Sequence, residues 1–170
     1  MKKNLTSFII MLACCFHSAA QDCEILNRVQ PDGSMWYYMD PQKFYETEKN
    51  SLFGAIATDG ENYYLMLIPH PTPPKKESRK ISSNLHVKLQ DGITQILEHF
   101  DSQYIDQDTI LAVFYNIGKD QLSDLRKKPV EQITLDLPDS SQKVYNFMLH
   151  KEAIQQQIQC FLSRNNNKIK

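Results

Sequence analysis

The chain has 170 residues, 19 Lys and Arg against 20 Asp and Glu, and a net charge of −1 with histidines neutral. That balance argues against nucleic acid, whose phosphates call for a clustered basic face. Five glycines leave no loop able to cradle a phosphate.

The first 20 residues read as a secretory signal: Lys2 and Lys3 lead, an apolar stretch from Leu5 to Phe16 follows, and Ser18-Ala19-Ala20 closes it. A membrane-spanning helix needs roughly 20 apolar residues, and this stretch ends several short, so no transmembrane segment is expected. Cleavage after Ala20 makes Gln21 the first mature residue. A lipid anchor at Cys14 or Cys15 is the second choice, because the residues ahead of each depart from the Leu, small, small, Cys pattern of lipoprotein signals. Loss of Lys2 and Lys3 with no acid takes the net charge from −1 to −3. Residues 21–164 then fit a single domain with one core, and the polar stretch 165–170 reads as a disordered tail.

Two cysteines remain, Cys23 at the start of the mature chain and Cys160 in the last expected helix. In an oxidising compartment such a pair forms a disulfide. Closing nearly the whole chain is worth roughly 5 kcal/mol in the chain-entropy model.

Pro31-Asp32-Gly33-Ser34 is a turn, and Trp36-Tyr37-Tyr38-Met39 after it is rich enough in aromatic residues for a partly buried strand. Leu52 to Thr58, Asp59-Gly60 and Tyr63 to Ile68 read as a hairpin. The prolines from Pro69 to Pro74 cannot join a central strand and read as a surface connection. Lys75, Lys76, Arg79 and Lys80 beside them read as solvated charge.

A second hairpin runs from Leu85 to Leu89 and from Ile93 to Leu97. A two-residue loop at Asp91-Gly92 sets Leu89 opposite Thr94, Val87 opposite Ile96, Leu85 opposite Glu98 and His86 opposite Leu97. Leu111 to Tyr115 has little polarity on either face and belongs mid-sheet. Leu122 and Leu125 sit at helical spacing in a short helix over about 119–127, stopped before Pro129. Strands follow from Val130 to Leu137 and around Val144, Phe147 and Leu149. A C-terminal helix over about 151–162 sets Ala153, Ile154, Ile158, Phe161 and Leu162 on one stripe. The fold class is therefore α+β, a mainly antiparallel β-sheet with both helices packed on one face.

The hairpin around Asp91-Gly92, the strand ending Ala112-Val113-Phe114-Tyr115-Asn116-Ile117, the helix carrying Leu122 and Leu125, and Val130 to Ile133 together resemble a pattern met in uncharacterised exported proteins of Bacteroidetes. The resemblance covers residues 85–137, about a third of the chain by simple proportion. It implies a periplasmic or secreted setting and brings no activity and no site residues.

Candidate chemistry is sparse. His86 and His99 become diagonal neighbours in the expected register and form a two-ligand start for zinc, but the adjacent Lys88 and Gln95 are poor ligands. No Gly-x-Ser-x-Gly, Ser-x-x-Lys or His-Glu-x-x-His motif occurs. Acid pairs such as Asp106 with Asp108 and Glu46 with Glu48 read as solvated edges. No cofactor is expected.

The aromatic residues carry the best hint. Trp36 and Tyr38 share one face of their strand, Tyr37 and Met39 the other, and Tyr63 and Tyr64 point opposite ways. They are either core residues of a sheet covered on both sides or, for Trp36, Tyr38, Tyr63 and Tyr64, an open platform for a protein, peptide or carbohydrate partner. The small residues Gly54, Ala55 and Ala57 favour the first, since they let a helix approach. The function expected is a noncatalytic binding or interaction module. The alternatives are a hydrolase whose residues converge only in space and an assembly subunit that pairs through a sheet edge.

Overall fold

The structure is a computed structural model, and it describes residues 23–30, 32–72, 81–107, 109–136 and 142–167. The signal over 1–20, the possible lipid sites Cys14 and Cys15, the cluster from Lys75 to Lys80 and Asp108 lie outside the described residues. Among the described residues no helix is long and apolar enough to cross a membrane.

Eleven strands and two helices are described: β1 Leu26–Val29, β2 Met35–Tyr38, β3 Gln42–Glu46, β4 Ser51–Thr58, β5 Tyr63–His70, β6 Leu85–Leu89, β7 Thr94–Leu97, β8 His99–Ile105, β9 Ile110–Ile117, α1 Lys119–Lys127, β10 Val130–Asp136, β11 Gln142–Asn146 and α2 Ala153–Asn167. All pairings are antiparallel. The protein is α+β, as its sequence pattern predicts. Helix α2 continues through Asn167, three residues into the stretch read as a tail.

Seven strands form one sheet in the order β1-β2-β4-β5-β9-β8, with β3 also on β4, and four form a second in the order β11-β10-β6-β7. The sheets curl together at both margins. On one side the N–H groups of Met148 and Leu149, just past β11, donate to Phe44 O in β3 at 3.0 and 3.2 Å. On the other, the chain passes from β7 through Glu98 straight into β8, and Asn116 N–H of β9 donates to Glu98 O at 2.8 Å. Stacked Phe44 and Phe147, 4.4 Å apart, and edge-on Tyr45 and Tyr145 tie the first margin further.

The enclosed space is the main core. Alternate residues of β4, β5 and β9, among them Ile56, Leu65, Leu67, Val113 and Tyr115, meet Leu85, Val87, Leu89, Ile133 and Leu135 from the second sheet, and Ile154, Ile158 and Phe161 from α2. Gly54 is required by a close approach, since a Cβ there would lie 2.6 Å from the Phe44 ring and 2.9 Å from Met66 O. That smallness admits a ring from β3, where the sequence suggested a helix.

A helix does reach β4, two residues further on. Strand β3 pairs with Ser51–Gly54 and β2 with Ala57–Thr58, so the Ile56 N–H falls in the gap between them. Gln157, fully buried on α2, accepts that N–H at 2.6 Å and donates to Asp40 O at 3.4 Å. A polar side chain thus sits on the apolar stripe of α2 because the sheet edge beneath it has an orphan donor.

The second hairpin departs from the expected register by one residue. Leu89 N–H donates to Ile93 O and Gly92 N–H to Leu89 O, so the loop has three residues, Gln90, Asp91 and Gly92, with Gly92 in the left-handed region at φ +86°. A three-residue loop ending on a left-handed glycine is the next commonest hairpin after the two-residue form. Leu85 therefore pairs with Leu97, His86 with Ile96, Val87 with Gln95 and Lys88 with Thr94. The shift sends Leu97 inward, fully buried, and leaves Ile96 50% exposed.

Two smaller corrections share one cause, the position of a residue relative to an edge. Pro69 belongs to β5 opposite Leu52, because β9 pairs β5 only through Tyr63–Leu67 and no ladder on that side needs its N–H. In β11 the inward residue is Tyr145, while Val144 points out.

Candidate functional site

The outward residues of the seven-stranded sheet form a second apolar cluster: Trp36, Ala55, Ala57, Tyr64, Met66, Ala112 and Phe114, with Tyr38, Ile68 and Ile105 packed against it. Among the described residues every member comes from that sheet, and none from a helix or the second sheet. The small residues Ala55, Ala57 and Ala112 form the floor, and Trp36 leans over Ala57 to stack on Tyr64 at 4.7 Å and 16°. Phe114 meets Trp36 edge-on at 5.3 Å. Phe100 tilts over both, 5.9 Å from Trp36 and 4.7 Å from Tyr64.

A β-bulge aims Phe100. His99 pairs with Tyr115 and Asp101 with Phe114, so Phe100 is the extra residue, and it lies on the outward side with Asp101. The result is a face whose rings bury one another. Trp36 is only 8% exposed, whereas Phe100 on top of it is 46% exposed.

Asp59, in the β4–β5 turn, anchors the cluster. Its carboxylate accepts from Glu61 N–H, Asn62 N–H, the Asn62 amide and the Tyr64 hydroxyl, the last at 2.8 Å. Partial burial opposes the charge, but those donors outweigh it and hold the carboxyl at about 2. Burial, and then the bond to Asp59, push the Tyr64 hydroxyl up to about 12.

Beside the cluster lies a groove of about 140 Å³ lined by apolar Tyr38, Met66, Ile68, Ile105 and Phe114 and by polar Arg28, Gln30 and Gln103. Small-molecule sites occupy roughly 300–1,000 Å³, so this groove is the size of a side chain.

The aromatic candidates thus divide. Trp36, Tyr38 and Tyr64 are brought together on the outward face. Tyr63 points inward and packs edge-on against Phe161 of α2 at 6.3 Å. Phe100, Phe114 and Arg28 join the face although the sequence did not single them out for it; the one available signal was the isolated aromatic at 100 in an otherwise polar stretch.

The histidines are not brought together. His86 pairs with Ile96 and Thr134 on the outward face of the four-stranded sheet. His99 lies in the other sheet, edge-on to Tyr115 at 5.9 Å, with its Nε2 2.9 Å from Ser102 Oγ. Burial lowers the His99 pKa, with Asp101 working weakly against that. Among the described residues no group of three or more His, Cys, Asp or Glu is placed to hold a metal.

His99 and Ser102 are the nearest approach to a nucleophile and base. The Ser102 hydroxyl donates to Ile81 O at 2.7 Å, and the Asp101 carboxylate is taken up by Ser102 N–H and the Gln103 amide. A working dyad needs the serine proton on the imidazole and a third group orienting the ring. Here the proton is committed elsewhere, and neither residue lines either of the two cavities described here.

Cys23 and Cys160 form a disulfide with Cα atoms 5.6 Å apart, across 137 residues of sequence. It fastens the start of β1 to α2.

Fold and bond together define a disulfide-closed, mainly antiparallel α+β protein with one self-covered aromatic face. No family model, no curated protein and no solved structure matches the chain.

Proposed function

We propose that the protein is an exported, noncatalytic interaction module that docks a segment of a partner protein on the outward face of its seven-stranded sheet. The observation that carries this is the Trp36–Tyr64–Phe100–Phe114 cluster, an apolar sheet face to which no other layer of the described chain contributes. What the face presents to a partner is Phe100, 46% exposed over those buried rings, and the groove beside it.

Geometry favours a protein segment over a sugar. Carbohydrate stacking needs a free ring face, and the faces of Trp36 and Tyr64 are spent on each other and on Phe100. A groove of about 140 Å³ takes one apolar side chain. Arg28 at its rim makes no ion pair among the described residues and complements an acidic residue beside that anchor. Export is supported by the Cys23–Cys160 bond, since such bonds persist in oxidising compartments. The periplasmic or secreted setting and the likeness to exported Bacteroidetes proteins belong to this same reading.

The test is selection from a random peptide display library on the oxidised protein. Selected peptides carry a large apolar residue next to Asp or Glu and lose at least tenfold in affinity against Arg28→Glu and Phe100→Asp. Peptides that bind both variants as tightly as the parent overturn the docking face. Intact mass of the exported product, starting at Gln21, tests export, and a retained Met1 overturns it.

A further inference from the structure

The largest cavity described lies on the other side of the seven-stranded sheet, between Ile25 ahead of β1, Met35 and Tyr37 of β2, the β4–β5 turn at Thr58, Asp59 and Gly60, and Phe161 and Arg164 near the end of α2. Its volume is about 360 Å³. That falls in the lower part of the roughly 300–1,000 Å³ range of small-ligand sites.

Its polar groups differ in what they have left to give. The Asp59 carboxylate already accepts four hydrogen bonds, which fills the roughly four lone-pair sites a carboxylate offers. The Thr58 hydroxyl donates to Asn62 O and accepts from Gly60 N–H. Arg164, by contrast, makes no ion pair or hydrogen bond among the described residues, and neither does the Tyr37 hydroxyl. The unspent groups are therefore a guanidinium, which only donates, and a phenol hydroxyl, which can donate or accept, and the other described wall residues include apolar Ile25, Met35 and Phe161.

We infer that this cavity binds an apolar monocarboxylate, its hydrocarbon body against Ile25, Met35 and Phe161 and its carboxylate on Arg164 with help from the Tyr37 hydroxyl. A guanidinium presents its donors as a planar fork that matches a carboxylate in two parallel bonds. The Asp59 carboxylate keeps its charge, but with its lone pairs filled it offers a ligand no further hydrogen bond. The same chemistry occurs in a free arylalkanoic or short fatty acid and at the C-terminus of a peptide ending in an apolar residue. This site stands independently of the outward face.

Calorimetric titration of the oxidised full-length mature protein tests it with two matched pairs of probes: 4-phenylbutanoate against 4-phenylbutan-1-ol, and an acetylated tetrapeptide ending in Phe with a free against an amidated C-terminus. At least one carboxylate binds tenfold or more tightly than its neutral partner, and Arg164→Gln erases that preference while leaving the thermal midpoint unchanged. Met35→Trp, at a partly exposed position, fills the cavity and weakens binding of both members of the pair. Preference confined to the small acid assigns a free ligand, and preference confined to the peptide assigns a chain terminus. Equal binding of charged and neutral probes, no binding of either acid, or a preference that survives Arg164→Gln overturns the inference.

Discussion

The two faces of β4, β5 and β9 are made from alternate residues of the same strands and are buried by different means. Leu65 and Leu67 point into a core closed by a second sheet and a helix, while Tyr64 and Met66 between and beside them point outward, where among the described residues only side chains of their own sheet pack against them. Trp36 is 8% exposed, and the described side chains that pack with it all belong to its own sheet. The inward face at Leu65 and Leu67 is packed from both sides and fully buried. Among the described residues the outward face is one layer deep, its rings packed on one another and on the sheet beneath.

The largest effect expected concerns what holds the inward side shut. The Cys23–Cys160 bond fastens β1 to α2, and removing it as Cys23→Ser with Cys160→Ser costs up to about 5 kcal/mol by the chain-entropy estimate. Thermal midpoints of the parent with and without reductant, and of the double variant, measure this, and coincidence of all three removes the bond as a structural element. The two faces are compared most directly by adjacent residues of β5. Leu65→Ala opens a hole in a fully enclosed site and costs about 3–4 kcal/mol, and Met66→Ala on the outward layer costs about 1–2 kcal/mol because the surroundings can settle or hydrate. Equal losses in urea unfolding erase the distinction between the faces.

Gln157 tests the same contrast with a polar group. Gln157→Leu keeps the volume and strands the Ile56 N–H in the enclosed core, at a cost of about 2 kcal/mol. Fast hydrogen exchange at Ile56 in that variant identifies the lost bond, and unchanged stability and exchange mean that the gap between β2 and β3 is satisfied in another way.

How much of this was legible in the sequence follows the same division. Inward positions alternate cleanly in β6 and, past the register shift after Val130, from Ile133 to Leu135 in β10, and α2 carries a stripe at helical spacing, so the fold class and both helices could be read from periodicity. The disulfide followed from having two cysteines left. Strands β1, β3 and β8 were missed because each has a polar or mixed sequence: Gln42-Lys43-Phe44-Tyr45-Glu46 shows one buried position, and His99-Phe100-Asp101-Ser102 is interrupted by a bulge. The histidine pairing was misplaced because Asp91-Gly92 is compatible with loops of two or three residues, and a single residue exchanges the faces of a whole strand. Alternation assigned Trp36 and Tyr38 to one face of β2, but whether a face is covered depends on contacts between distant strands, which local pattern does not contain. Arg164 and Tyr37 line one cavity because α2 packs back against β4, the neighbour of β2, so that cavity had no sequence signal.

The smallest effect expected joins the outward face to pH. Asp59 has its carboxyl held at about 2 against 3.8 for the free side chain, so its contribution is fully present above the unfolded value and is lost as pH falls through the folded one. Asp59 is partly exposed and its bonds are screened by solvent, which reduces the contribution to about 1 kcal/mol. Asp59→Asn keeps the shape and removes the charge. Urea unfolding of parent and variant then separates them by about 1 kcal/mol near pH 7, with the gap narrowing below about pH 4 and closing near pH 2 as the parent's carboxylate takes up its proton. Because one of the four donors is the Tyr64 hydroxyl beneath Phe100, the ring contacts of the outward face should loosen with it, and near-ultraviolet circular dichroism of Trp36 reads that directly. A signal that fades across the same pH window in the parent, and is already reduced at pH 7 in Asp59→Asn, ties the single-layer face to the turn. A signal indifferent to both leaves the aromatic cluster held by ring packing alone, closer in character to the inward core.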